Sequence, residues 1–150
     1  PTRAVWSGGY SNPTGLNNTI DFCTIATLGN SQDFGDLSEK NYSNSACSNS
    51  TTALLAGGQD GASNVINMLT ISTRGNAISF GDLIGPTFEF SATASSIRGV
   101  WGGGLSPNDT TKIDVIQYKN FATAGDTVDF GNLLAATQEP AATSNAHGGL

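Results

Sequence analysis

Apolar residues fall in short clusters along this chain, separated by stretches of Gly, Ser, Thr and Asn, and the clusters recur. Three segments share one pattern: Arg3-Ala4-Val5-Trp6-Ser7-Gly8-Gly9, Thr52-Ala53-Leu54-Leu55-Ala56-Gly57-Gly58 and Arg98-Gly99-Val100-Trp101-Gly102-Gly103-Gly104. Their final glycines stand at 9, 58 and 104, giving steps of 49 and 46 residues. Downstream of each comes an apolar-rich run opened by isoleucine: Ile20–Ile25, Ile66–Ile71 and Ile113–Tyr118. A third landmark follows, Phe34-Gly35-Asp36-Leu37, then Phe80-Gly81-Asp82-Leu83 and Phe130-Gly131-Asn132-Leu133. Three landmarks in one order, three times over, define an internal repeat, and such units bury their apolar faces by stacking on one another. The approximate modules are 1–49, 50–96 and 97–147, with the start of a fourth at 148–150.

Each module predicts four short strands. Strand b ends in the paired glycines and strand c is the isoleucine-led run. Strand d leads into Phe-Gly-Asp/Asn-Leu, and strand a is the small-residue stretch after it, Ser43–Ser48 or Phe90–Ala94. The a–b turn is rich in Ser, Thr and Asn, as at Ser48–Thr51, which suits a tight hairpin. The c–d turn carries Gly29-Asn30, Gly75-Asn76 and Gly125-Asp126, residues that tolerate positive φ. Strand c has apolar groups on both faces, with Ile66 and Met68 on one and Leu69 and Ile71 on the other. A strand covered on both sides reads this way, as when sheet stacks on sheet.

A four-stranded module of this length, stacked on copies of itself, is the pattern of a propeller blade. The order of a short turn, a strand ending in a glycine pair, an extended c and an aromatic near d resembles Kelch blades. Those usually carry Trp in or near d, where this chain has Phe34, Phe80 and Phe130. The combined pattern around Trp6, Ile20–Thr27 and Gly29–Leu37 resembles Kelch-like repeats of tail-fibre and other virion proteins of tailed bacteriophages. That resemblance covers almost the whole chain and implies an all-β fold of three four-stranded antiparallel modules, part of a larger propeller. Propellers close with roughly four or more blades, so either a longer chain or an assembly of copies is expected, the longer chain being favoured. A start at Pro1 without Met is in keeping with a processed or partial chain.

Composition narrows the function. Only 12% of the residues are charged, Gly supplies 19, and the net charge is −6. Phosphate-backbone binding needs a basic face, whereas Arg3, Lys40, Arg74, Arg98, Lys112 and Lys119 are scattered, so nucleic acid is not an expected partner. No apolar run approaches the about 20 residues that span a bilayer. Cys23 and Cys47 are too few for a disulfide framework and read as two small buried thiols, although a single bridge is compatible with their number.

No residue set argues for catalysis. The glycine pairs lack the following helix and lysine of a phosphate loop, and read as sharp strand ends where a neighbouring blade approaches. Asp36, Asp82 and Asn132 share one repeat position but no calcium-loop spacing, so turn capping is the expectation. Asp33 and Asp129 read as solvent-facing. His147 stands without a cluster of ligands, and no cofactor or metal is expected. Trp6, in register with Leu55 and Trp101, reads as packing between modules. The Asn-x-Ser/Thr triplets at Asn17, Asn41, Asn49 and Asn108 arise readily in so Asn-rich a chain.

The expected function is a non-enzymatic virion module that displays loops to a host-surface protein or glycan, or to other virion subunits. Two alternatives stand beside it: a carbohydrate-binding propeller appended to a polysaccharide-degrading enzyme, and a bacterial adhesion repeat. In an antiparallel blade the b–c and d–a loops share one rim, and the b–c loops differ in length. Ten residues separate Gly9 from Ile20, seven separate Gly58 from Ile66, and eight separate Gly104 from Ile113. Length-variable loops on a rigid scaffold are where recognition concentrates. The candidate contact residues are therefore Tyr10, Asn12, Asn17 and Asn18, with Gln59, Asp60, Asn108 and Asp109 from the later loops.

Overall fold

The computed structural model describes residues 3–58, 63–106 and 111–145, and its regular structure is strand throughout. The strands are β1 (Arg3–Ser7), β2 (Tyr10–Ser11), β3 (Gly15–Leu16), β4 (Thr19–Thr24), β5 (Gln32–Asp36), β6 (Ser45–Ser48) and β7 (Thr52–Ala56). They continue as β8 (Val65–Thr70), β9 (Ile78–Asp82), β10 (Ser91–Ala94), β11 (Arg98–Gly102), β12 (Val115–Asn120) and β13 (Val128–Asn132). Antiparallel pairing gathers them into β1-β4-β5, β6-β7-β8-β9 and β10-β11-β12-β13, with β2-β3 as a separate hairpin. The a strands β6 and β10 end one sequence module but pair with the b strand of the next, so sheet and module are offset by one strand.

The glycine pair sets the register three times. Gly8, Gly57 and Gly103 donate to the carbonyls of Thr19, Val65 and Val115 at 3.0, 3.1 and 3.1 Å. Ser7 thereby faces Ile20, Ala56 faces Ile66, and Gly102 faces Ile116. This corrects the third module: the partner of Ile20 and Ile66 is Ile116, not Ile113. Ile113 occupies the position of Asn17 and Ser63, whose N–H groups likewise bond the carbonyl of the second glycine, at 3.0 Å for Ile113 and Asn17 and 3.1 Å for Ser63. The bond common to all three uses the backbone, so the position accepts Asn, Ser or Ile, and its isoleucine misleads. The third b–c connection is thus eleven residues, 105 to 115, the longest of the three.

The sheets stack face to face. Ile20, Phe22, Phe34 and Leu37 of the first meet Ala53, Leu55 and Leu69 of the second. From the second sheet's other face, Leu54, Ala56, Ile66, Phe80 and Leu83 meet Trp101 and Phe121 of the third. The middle sheet is therefore buried on both sides, and β8 with the following Ile71 divides as the sequence predicts, Ile66 and Met68 forward, Leu69 and Ile71 backward. Each fully buried aliphatic side chain contributes about 2 kcal/mol, so these two layers are the main source of cohesion.

A second device joins the sheets at their outer edges. The c–d turn of each following module clips onto strand d of the sheet before it. Gly75 and Ala77 donate to the carbonyls of Phe34 and Asp36 at 2.9 and 2.8 Å, and Asn76 Oδ1 accepts the Asp36 N–H at 3.0 Å. Gly125, Thr127 and Asp126 repeat this on Phe80 and Asp82 at 2.7, 2.8 and 3.1 Å. Gly35 and Gly81 allow the approach, since a Cβ on either would strike the turn glycine's carbonyl. The expected turn capping by the Asp36 and Asp82 side chains is thereby corrected. At Asp36 and Asp82 it is the backbone that is bonded, and the caps come from Asn76 and Asp126.

Burial at equivalent positions depends on which sheet carries them. Phe34 and Phe80 are buried as expected, but Phe130 is 58% exposed because no sheet covers its face among the described residues. Trp101 is fully buried, whereas Trp6, expected to pack like it, is 56% exposed on the uncovered back of the first sheet. Both cysteines are free, Cys47 buried and Cys23 half-buried. Burial pushes the Cys47 thiol up to about 12, partly opposed by a backbone hydrogen bond at Val100.

Candidate functional site

The expected contact rim is built where strand b ends. After Gly9 the first module turns outward into the β2–β3 hairpin, in which Tyr10 pairs with Leu16 and Ser11 with Gly15. Ser11 and Thr14 hydroxyls share a 2.6 Å hydrogen bond across its tip. Tyr10 is 66% exposed, and its ring packs edge-on against Tyr42 at 6.3 Å between centroids. Tyr42 lies between β5 and β6, so the b–c and d–a connections do meet on one rim. Asn12 stands exposed in the turn of the same hairpin.

Asn17 and Asn18 are placed differently. Asn17 Oδ1 accepts the Thr19 N–H at 2.8 Å, and the Asn17 carbonyl accepts from Asn41 N at 3.0 Å. Ser63 does the same work in the second module, its Oγ accepting from Val65 N at 3.1 Å. The Asn18 carbonyl receives the Leu37 N–H at 2.7 Å, as Asn64 and Asp114 receive those of Leu83 and Leu133. Both asparagines are half-buried parts of the framework that ties c to d. Gln59, Asp60, Asn108, Asp109 and His147 lie outside the described residues. Leu105, at the start of the third loop, is buried and bridges to Phe88 and Lys112 instead of facing a partner.

Two residues of this rim escape a reading of the sequence. Tyr42 lies five residues after Leu37, where the second module has the aromatic Phe88 and the third has Gln138, so only a partial repeat signals it. Asn41 has a counterpart in both: it stands four residues after Leu37, as Thr87 and Thr137 stand after Leu83 and Leu133. Their carbonyls accept from Gly9, Gly58 and Gly104 at 2.7, 2.9 and 2.8 Å. The buried Asn41 amide also donates to the Gly57 carbonyl, joining first and second sheets, while its Oδ1 has no partner. That buried role leaves Asn41 no access as a glycan acceptor.

On the opposite rim, the a–b turns of the second and third sheets and the c–d turn of the third border a cleft of about 480 Å³ lined by Asn49, Ile97, Arg98 and Phe121. Asn49 is itself a turn residue, its Oδ1 accepting from Thr51 and Thr52 N–H. Among the described residues no cluster of His, Cys, Asp or Glu could hold a metal ion. No helix there is long and apolar enough to cross a membrane. Asp33 and Asp129 are exposed as expected, and Asp129 Oδ1 caps Gly131 N at 2.9 Å. No protein-family model matches the chain, and no curated protein does.

Proposed function

We propose that this chain is a non-enzymatic virion module of the tail-fibre kind, its sheets the blades of a Kelch-like propeller, attaching through the Tyr10 rim to a host-surface glycan or protein or to a neighbouring virion subunit. The observation that carries the reading is the Tyr10–Tyr42 pair, an aromatic platform at a hairpin whose turn carries the exposed Asn12. An exposed ring stacks on the apolar face of a sugar, and an amide supplies one donor pair and one acceptor for its hydroxyls. The basic residues support the exclusion of nucleic acid. Arg3 and Arg74 stack on Phe22, Arg98 on Tyr118, and Lys119 on Phe80, so four of the six cations are spent on packing.

The test is binding of the labelled chain to bacterial cells and to purified surface polysaccharides. Tyr10→Ala with Asn12→Ala should abolish retention and leave the melting temperature unchanged, since both residues are exposed. Retention undiminished in the double variant overturns the assignment of this rim. The cleft opposite favours one other contact, and loss of binding in Arg98→Ala instead would transfer the function there.

A further inference from the structure

We propose that the open back of the first sheet and the open front of the third dock head to tail on second copies of this chain. The inference goes beyond the attachment role and uses different surfaces. Its warrant is that the same contact is already made twice inside the molecule, between the first and second sheets and between the second and third, with the same repeat positions. The third sheet's front carries Phe130 and Leu133 where Phe80 and Leu83 are buried, and Phe130 already packs edge-on against Tyr118 at 5.9 Å as Phe34 does against Phe22 at 5.8 Å. The first sheet's back carries Trp6 where the third presents the buried Trp101.

The polar groups match as well as the apolar ones. Asn67 Oδ1 accepts the Ser38 N–H at 3.1 Å, and Gln117 Oε1 accepts the Ile84 N–H at 2.9 Å. The residue at that position in the first sheet is Asp21, paired with Trp6 as Asn67 is with Leu55 and Gln117 with Trp101. Its carboxylate is positioned for the N–H of Leu134, the counterpart of Ser38 and Ile84. The turn clip has its complement too. Gly29 and Asn30 stand where Gly75-Asn76 and Gly125-Asp126 clip strand d, and the Phe130 carbonyl and Asn132 N–H are the groups they would meet. A Cβ added to Gly131 meets nothing, so the slot that Gly75 and Gly125 fill at Gly35 and Gly81 is open. Head and tail are different surfaces, so the contact is heterologous and continues into a ring or filament rather than closing as a two-fold dimer.

Analytical ultracentrifugation of the 150-residue chain from about 1 to about 500 µM tests this. Wild type should show masses rising with concentration. Trp6→Asp removes the head, Phe130→Asp removes the tail, and each alone should lose at least roughly thirtyfold in self-affinity, as expected for a central aromatic of an interface. Mixed together they should form a one-to-one heterodimer that grows no further, because each supplies the surface the other lacks. Both should melt as wild type does, the side chains being exposed in the single chain, and the alanine variants serve the same crossed design if either melts early. A wild type monomeric over the whole range overturns the proposal in favour of cover by further repeats or by a different protein. Either variant alone associating like wild type, or a mixture that stays monomeric, also overturns it. The Tyr10–Asn12 variant should self-associate normally, so failure here and failure of the attachment reading are separable.

Discussion

The second sheet and the third carry the same landmarks, yet their forward faces differ. Phe80 and Leu83 are sealed under Trp101 and Phe121, while in the matching Phe-Gly landmark of the third sheet Phe130 lies open and Leu133 is only half-buried. The strand pairing is identical, down to the register shift after Ile66 and after Ile116. The difference therefore comes from the next sheet and not from the residue. Each of these two sheets is strand-paired within itself, its first strand supplied by the preceding module, and acquires a core only from the sheet stacked on it, which is how stacked repeats distribute stability.

The comparison breaks most visibly at the aromatic. Phe80→Ala should cost about 3–5 kcal/mol in urea unfolding, as large aromatic truncations in cores do. Phe130→Ala at dilution should fall within about 0.5 kcal/mol of wild type, as exposed substitutions do. Equal losses at both would mean that the third sheet is covered in the single chain.

Glycine sharpens the point. Gly81 and Gly131 share positive φ values of 145° and 139°, so alanine carries the same backbone strain at both. Only at Gly81 does the new Cβ also collide with the Gly125 carbonyl. Gly81→Ala should exceed Gly131→Ala by about 1–3 kcal/mol, the usual range for forced overpacking, measured as the difference in unfolding midpoint at unchanged denaturant slope.

Cysteine chemistry compares the covered and uncovered sheets by another route. Cys47, pushed up to about 12 by burial, stays protonated when folded, whereas in the unfolded chain it ionises near its ordinary value of 9.0. Stability from this group is complete below pH 9 and falls as pH rises toward 12. Cys47→Ala should flatten that alkaline loss, which is on the order of 1 kcal/mol one pH unit above 9. At neutral pH a maleimide should label Cys23 and spare Cys47, and mass mapping of the adduct checks it.

The smallest effect is at the clip. Asp126→Ala removes the acceptor for Asp82 N–H and should cost about 1 kcal/mol, while Asn30→Ala, with no preceding strand d to cap among the described residues, should be neutral in thermal melts of dilute protein.

Much of this was legible in the chain. The glycine pairs, the isoleucine-led runs and the Phe-Gly landmarks locate strands b, c and d, and the two-faced β8 reveals the sandwich. What failed did so for physical reasons. Ile113 imitates Ile116 because it stands at a position whose recurring bond is made by the backbone, so Asn, Ser and Ile are all accepted there. Trp6 and Phe130 were expected in the core because their register matches Trp101 and Phe80, but burial belongs to the stack and not to the residue. At the rim, Tyr10 and Asn12 stand exposed, as loop residues should, whereas Asn17 and Asn18, equally polar in the sequence, are tied into the framework. Asn41 was discounted as a chance triplet although its spacing from Leu37 recurs at Thr87 and Thr137.

The stacking itself is tested most directly by residue-resolved amide exchange on dilute protein. Gly29, Gly75 and Gly125 occupy one repeat position, and among the described residues only Gly75 and Gly125 have a preceding strand d to bond, through the carbonyls of Phe34 and Phe80. Strong protection at Gly75 and Gly125 with rapid exchange at Gly29 is the predicted result. Similar exchange at all three glycines would contradict the account.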